Sequence, residues 1–271
     1  MGLPNDGQKG SARTPLARVV VLDADQGRGV RLAARYLRRT CALDFVPDVD
    51  AFLRELPAHR CGLLGGGIPD RLVERSPLVA EALPPLIHLV DAPGSDALRL
   101  PPSGSPAVHE LLPEDVPSGL FSTLSCLLID GSVVSTRRAV ISNPALHRRA
   151  GLRRVVLHLL DFSRQPIHSV QALARAGRVA TRTLELQWAT LGARRLATLK
   201  DLVEIVLLLR ALQDRSKGVC WRTTDVELGI DPRTRRSASR RQLGRLLPDP
   251  GTADSPASVL RLEEKLQDIL P

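Results

Sequence analysis

Residues 169–188, SVQALARAGRVATRTLELQW, decide the fold of the C-terminal half of this 271-residue chain. Ser169 is typical of a helix N-cap, because its hydroxyl can accept a hydrogen bond from an unpaired backbone N–H of the first turn. Gly177 stands where that helix is expected to end, since glycine enters a left-handed turn at little cost. Between them, apolar side chains recur at helical spacing and predict one buried face: Val170, Leu173 and Ala174.

A second short helix is expected directly after the turn. It begins at Ala180 or Thr181, and Leu184 and Trp188, one helical turn apart, give it a buried stripe. Two short helices meeting at a tight turn are typical of a helix-turn-helix, whose second helix can lie in the major groove of DNA. The alternative is an ordinary helical hairpin in a protein core. The side chains expected to face outward are Arg182, Thr183, Glu185 and Gln187.

The positive charge of the chain is concentrated around this stretch. Residues 136–247 carry 23 Lys and Arg against 8 Asp and Glu, whereas residues 1–135 carry 13 against 16 and residues 248–271 carry 2 against 5. Such asymmetry is the electrostatic footprint of a protein that gains affinity by neutralising nucleic-acid phosphates. Aromatic residues make up only 3% of the chain, which argues against stacking on single-stranded nucleic acid. The charge therefore favours duplex binding over the plain hairpin.

The bulk composition favours a cytoplasmic protein with room for two domains. Residues 1–16 are polar and predict a disordered lead without the apolar core of a signal peptide. The longest apolar run, Leu202–Leu209, is interrupted by Glu204 and is too short to span a bilayer, so no membrane partner is expected. The four cysteines and six histidines are dispersed, so we expect reduced thiols, no metal site and no cofactor.

Strands and helices alternate along residues 17–131 and predict a doubly wound α/β domain with a parallel sheet. Buried apolar runs indicate the strands, and amphipathic segments indicate the helices between them. Strands are expected at 18–25, 43–48, 61–64, 85–90 and 108–112, and helices at 30–37, 49–56, 72–83 and 120–129.

This order of elements and the opening strand VVVLDAD resemble the receiver domain of response regulators. Receivers accept a phosphoryl group on an Asp that ends the third strand, beside an acidic pair that holds Mg²⁺. By this resemblance the acceptor position is Gly65, and the acidic pair is reduced to Asp23 and Asp25. Val90 and Leu112 stand where receivers have a hydroxyl residue and a lysine. The resemblance therefore implies a degenerate receiver, because glycine offers no nucleophilic oxygen.

Two glycine-rich stretches stop short of a phosphate-binding loop. Gly27-Arg28-Gly29 lacks the third glycine of a dinucleotide fingerprint, and Gly65-Gly66-Gly67 lacks the following Lys-Ser/Thr of a P-loop. We interpret both as turns and expect no catalytic activity.

The chain beyond residue 131 is expected to be helical, beginning with a linker over residues 132–147 that breaks at Asn143-Pro144. A DNA-binding domain is expected over 148–247, followed by a tail over 248–271 whose helix packs back on the chain or forms a dimer contact. Further helices are expected at 148–162, at 199–213 (apolar on several sides and hence buried), and as a weaker pair at 221–228 and 232–247, joined at Gly229-Ile230 and capped by Asp231 and Pro232.

Residues 148–247 resemble the DNA-binding domain of AraC/XylS-type transcription regulators, in which one long helix joins two helix-turn-helix units. The resemblance rests on residues 169–188, on Gly192 with the helix at 199–213, and on DVELGID with Leu243-Gly244. It departs at Arg235 and Ser239, where the family usually has large apolar core residues. The DNA-contacting positions that it implies are Arg182, Glu185 and Leu186, with Thr183 on the same face, and Arg233, Arg236 and Arg240 in the second unit.

Together these features predict a transcription regulator that binds duplex DNA in the nucleoid and performs no catalysis. The resemblance leaves RNA polymerase and a second copy of the chain as candidate protein partners. One alternative is a protein-interaction module, in which the receiver-like domain docks a partner and the helical domain has decayed. Another is a phosphorylated response regulator, against which Gly65 argues.

Overall fold

The computed structural model describes residues 17–22, 28–65, 84–90, 108–191 and 198–270. Within these ranges the first half of the chain forms a five-stranded parallel sheet. The strands lie in the order β2-β1-β3-β4-β5. Their bounds are β1 Ala17–Leu22, β2 Cys41–Val46, β3 Cys61–Gly65, β4 Leu86–Leu89 and β5 Val108–Leu111.

Both faces of the sheet are covered, because successive side chains of a buried strand point to opposite faces. Val19 and Val21 of β1 belong to one apolar cluster, and Val20 and Leu22 belong to a second. The first cluster includes helix α1 (Arg28–Leu37), and the second includes Phe52 of helix α2 (Val49–Glu55). The predicted parallel sheet with surrounding helices is confirmed. The helix predicted at 72–83 lies outside the described residues.

Helix α3, Val116–Ser142, differs from the sequence-based prediction. A helix was expected only at 120–129, followed by a linker over 132–147, but the helix continues unbroken through Ser142. Ser132, Val133, Thr136 and Val140 are buried and extend the packed face of α3 into the predicted linker. The break comes at Asn143, whose side chain caps the short helix α4 (Pro144–His147) by accepting hydrogen bonds from the backbone N–H groups of Ala145 and Leu146.

The segment Pro113–Ser142 also has the length and mean hydropathy, 1.4, that a membrane-spanning helix would need. No other helix in the described part of the chain passes this test. However, 56% of its apolar window is buried inside the protein. Core helices pass the same length and composition test, so the feature is weak evidence for a membrane span.

The second half of the chain is helical. Helix α8, Leu199–Ser216, is its central element, and it begins at a capping box in which Thr198 and Asp201 satisfy each other's backbone N–H groups. The predicted burial of this helix on several sides is confirmed, since twelve of its residues are buried. The other helices are α5 Ala150–Leu159, α6 Val170–Gly177, α7 Thr181–Ala189, α9 Trp221–Glu227, α10 Pro232–Leu243 and α11 Asp254–Ile269.

The tail helix α11 packs back on its own chain, against α3 and α8. Its Glu263 is nearly buried and forms an ion pair with Arg60, which precedes β3, at 2.8 Å. Burial raises the pKa of Glu263, and the nearby Arg60 guanidinium opposes that rise. One apolar cluster runs from Ala17 in β1 to Leu270 after α11. The tail therefore ties the sheet to the helical half, and the division into independent domains stays a prediction.

Candidate nucleic-acid interface

The first helix pair consists of α6, a three-residue turn and α7. As predicted, Ser169 caps α6, and its hydroxyl accepts a hydrogen bond from the Ala172 backbone N–H at 3.1 Å. The predicted role of Gly177 as the left-handed stop is wrong. Gly177 lies within the helix, and the left-handed residue is Arg178, with φ 52°.

Gly177 is needed for packing and not for backbone conformation. A Cβ atom at this position would overlap Cγ2 of Val155 in α5. The absence of a side chain therefore lets α6 approach α5 closely, and α5 supports the first helix pair from behind. The helix predicted at 148–162 matches α5 in its buried residues: Leu152, Val155, Val156, Leu159 and Leu160.

Helix α7 has one buried and one exposed side. Leu184 and Trp188 are buried in the main core, as predicted. Leu186 is 65% exposed, although it is apolar. Gln187 was expected to face outward but is half-buried. The other residues predicted to contact DNA on this helix are exposed: Arg182, Thr183 and Glu185.

The second helix pair consists of α9, a turn containing Gly229, and α10. Asp231 and Pro232 start α10 as predicted, and the Asp231 carboxylate accepts a hydrogen bond from the Arg233 backbone N–H at 2.7 Å. The helix was expected to extend to residue 247, but it ends at Leu243 because Gly244 takes a left-handed conformation with φ 73°.

The arginines at and after α10 fall into two groups, of which the first is structural. Arg235 forms an ion pair with the buried Asp225 of α9 at 2.5 Å, and its guanidinium lies 4.0 Å from the centroid of the Trp221 ring. Arg241 pairs with Glu204 of α8, and Arg245 pairs with Asp254 at 3.1 Å.

These contacts explain why the second pair departs from the AraC/XylS pattern. Arg235 replaces an apolar core residue with a paired charge stacked on an aromatic ring. Ser239 is buried, and its hydroxyl donates to the Arg245 carbonyl oxygen at 2.6 Å. Both polar side chains are therefore satisfied inside the fold.

The second group consists of Arg233, Arg236 and Arg240, which are exposed. Within the described part of the chain their side chains form no ion pair, and the same is true of Arg182. The positions that the sequence singled out for DNA contact are therefore the cations that the described fold does not neutralise.

The two helix pairs lie on either side of α8. A cleft of about 180 Å³ is bounded by the start of α6, by α8 and by α10. Val170 represents the first pair in its lining, Ile230 and Ala238 represent the second, and Val203 and Leu207 come from α8. The central helix thus holds both pairs in one compact unit.

The receiver-like pocket is described only in part. Gly65 ends β3, and a Cβ atom there would overlap Cγ2 of Val30 in α1. Even a small side chain would therefore require α1 to shift. Val90 is buried next to the end of β4, and Leu112 is half-buried. Asp23 and Asp25 lie outside the described residues, as does Gly192.

Among the described residues, no group of three or more His, Cys, Asp or Glu side chains could hold a metal ion. Comparison of the chain with protein-family models, with curated proteins and with solved structures found no match in any of the three.

Proposed function

We propose that this protein is a non-catalytic regulator of transcription that binds duplex DNA, with α7 as its recognition helix. The observation that carries the proposal is the two-sided character of α7. Leu184 and Trp188 anchor one side in the core, while Arg182, Thr183 and Glu185 stand exposed on the other. A helix held in this way is able to enter the major groove with polar side chains toward the base edges.

The exposed side chains of α7 suit base reading. A guanidinium such as that of Arg182 can donate two hydrogen bonds to guanine, and a carboxylate such as that of Glu185 can accept one from the amino group of cytosine. The apolar Leu186 side chain suits contact with a thymine methyl group. Its 65% exposure is costly in water and would be relieved on a base edge.

The second helix pair supports the proposal through charge. Arg233, Arg236 and Arg240 project from one short helix without carboxylate partners among the described residues. Such cations gain free energy from DNA by releasing the counterions that phosphates hold. In this proposal α10 contributes phosphate contacts, whereas base reading falls mainly to α7.

We further propose that the N-terminal part is a degenerate receiver that is not controlled by phosphorylation. The strand order 2-1-3-4-5 is that of flavodoxin-like folds, a doubly wound class to which receivers belong. Gly65 provides no acceptor oxygen at the end of β3, and its tight contact with α1 leaves no room for one.

The experiment is a titration of fluorescent 30-base-pair duplexes with the full chain across a salt series. The parent is expected to bind with an affinity that falls steeply as salt rises. Replacing Arg233, Arg236 and Arg240 together with Gln should reduce the steepness by up to about three phosphate contacts. Arg35→Gln, an exposed arginine of α1, is the charge-matched control and should leave the slope unchanged. A parent that binds no duplex at low salt contradicts the proposal.

A protein-interaction module is the second candidate. Leu186 of α7 and Val226 of α9 are 65% and 76% exposed, and apolar side chains on a surface are a common mark of a protein contact. RNA polymerase or a second copy of the chain would be such a partner. Absence of duplex binding at low salt would favour this candidate.

A further inference from the structure

A groove of about 500 Å³ lies behind the first helix pair, between the second half of α3, helix α5 and the end of α6. Its apolar wall is formed by Ala150, Leu157 and Ala176. Its polar wall is formed by Arg137, Arg153, Arg154, His158, Asp161 and Arg164. The groove is separate from the exposed side chains of α7 and α10.

The charge of the groove is strongly unbalanced. Four guanidinium groups line it, against the single carboxylate of Asp161. That carboxylate is already engaged, because it accepts hydrogen bonds from the Ser163 hydroxyl at 2.6 Å and from Nε of Arg164 at 2.8 Å. These bonds, that from Ser163 above all, hold the pKa of Asp161 below its usual range. Arg137, Arg153 and Arg154 therefore have no carboxylate partner within the groove.

The imidazoles beside the groove add no negative charge. Nδ1 of His147 lies 2.8 Å from Nη1 of Arg153, and Nδ1 of His158 lies 3.1 Å from Nη1 of Arg164. Because a guanidinium can only donate hydrogen bonds, both Nδ1 atoms act as acceptors and both rings carry their proton on Nε2.

Arg153 is held less completely than the fold would require of a purely structural residue. Its Nε atom is buried and has no hydrogen-bond partner in the described part of the chain. A buried donor without an acceptor is costly, and an anionic ligand would satisfy it. The groove thus presents several donors and positive charges with too few acceptors.

We infer that this groove binds a small phosphorylated organic molecule of nucleotide size. Guanidinium groups match phosphate oxygens in two-point contacts, and converging arginines are the usual way in which proteins bind phosphate groups. The volume falls within the range of small-molecule sites, and the apolar wall suits the organic part of such a ligand. A bare phosphate would leave the apolar wall uncovered.

The groove adjoins the recognition unit of the proposed function, although its binding chemistry does not depend on that proposal. Helix α5 supplies four lining residues, and its Val155 packs against Gly177 of α6. An occupant would therefore contact the helix that supports the first pair.

The test is isothermal titration of the full chain, without DNA, using ADP and inorganic pyrophosphate as separate probes. Arg137→Gln and Arg154→Gln are the main variants, because both side chains are exposed and make no recorded internal bond that folding would lose. Arg153→Gln is a third variant, checked for folding by circular dichroism. Arg35→Gln on α1 is the control for net charge. Each groove variant should weaken ADP binding about tenfold, the effect of losing one charge-assisted hydrogen bond.

ADP binding that is tighter than pyrophosphate binding, and that falls in the groove variants but not in the control, supports the inference. Equal losses in Arg154→Gln and Arg35→Gln would show diffuse charge attraction and would overturn it. Absence of binding by both probes would also overturn it. If, in addition, the groove variants weaken duplex binding in the salt series, the groove contacts DNA phosphates instead, and the proposed regulator survives without a small-ligand site.

Discussion

The smallest determinant of the first helix pair is the missing side chain of Gly177. Its α-carbon faces Val155 so closely that a methyl group would overlap the Val155 side chain. Helices α5 and α6 are therefore set at a distance that only glycine permits. The exposed side of α7 depends indirectly on this contact, because the short turn at Arg178 fixes α7 relative to α6.

Gly177→Ala is expected to destabilise the protein by about 1–3 kcal/mol, since overpacking a filled interface forces neighbouring atoms to move. Chemical denaturation followed by circular dichroism measures the free energy of unfolding. Val155→Ala should rescue the variant, because it removes the atom that the new methyl group meets. A double variant no more stable than Gly177→Ala alone would show that the contact is not the cause.

The role of this glycine could not be predicted from sequence. Gly177 was expected to adopt the left-handed turn, because local rules place glycine at helix ends. Instead Arg178 takes that conformation, and Gly177 serves a contact with a residue twenty-two positions earlier. The capping by Ser169 was predicted correctly because it involves only residues of the same turn.

At the scale of helices, the second pair is held by a charge inside its core. Arg235 joins α10 to α9 through Asp225 and stacks on Trp221. The side chains of Arg235 and Asp225 are only 11% and 7% exposed, so each charge depends on the other for compensation.

Arg235→Met should therefore destabilise the protein by about 3 kcal/mol, since it leaves a buried carboxylate without its partner. Arg236→Met, one residue further along the same helix and exposed, is the matched control and should change stability by less than about 0.5 kcal/mol. Adding Asp225→Leu to Arg235→Met should recover much of the loss. The pair would be unimportant if Arg235→Met and Arg236→Met unfolded at the same denaturant concentration.

Most helices and strands could be predicted, but two were wrong in extent for physical reasons. The expected linker at 132–147 contains serines and arginines, and only its packing against neighbouring helices shows that Val133 and Val140 are core residues of α3. The expected end of α10 was too late because the left-handed Gly244 stops the helix before its apolar pattern ends. The exposed residues proposed for DNA contact were predictable, because the helical period alone assigns faces.

The groove between α3, α5 and α6 could not be predicted, because its lining comes from three helices. The spacing of Arg154 and His158 places them on one face of α5, but nothing local to that helix brings Arg137 beside them. Arginines that pair internally could likewise not be told from free ones by sequence.

At the scale of the whole molecule, the sheet and the helices share one apolar core, which extends from β1 to the end of α11. Helix α3 contributes buried residues to it along most of its length, on both sides of position 131. Cooperative unfolding of the two halves follows from such a core.

Ile87→Ala, in the buried strand β4, tests this cooperativity. The substitution should cost about 2–5 kcal/mol and lower the melting temperature by roughly 4 °C or more. Both tryptophans of the chain, Trp188 and Trp221, lie in the helical half, so their fluorescence reports unfolding far from the substitution. Arg35→Ala, exposed on α1, is the control. A tryptophan transition that stays in place while circular dichroism shows early partial unfolding would reveal independent domains.

The central claim is that α7 reads duplex DNA, and selection from a pool of random-sequence duplexes tests it most directly. The parent chain should enrich a defined site. Arg182→Ala should relax the preference at one base pair, at a cost of about 1–3 kcal/mol for the preferred site and little for a scrambled duplex. Arg35→Ala should enrich the same site as the parent. Failure of the parent to enrich any sequence, or an equal loss of affinity for all duplexes in Arg182→Ala, would contradict the claim.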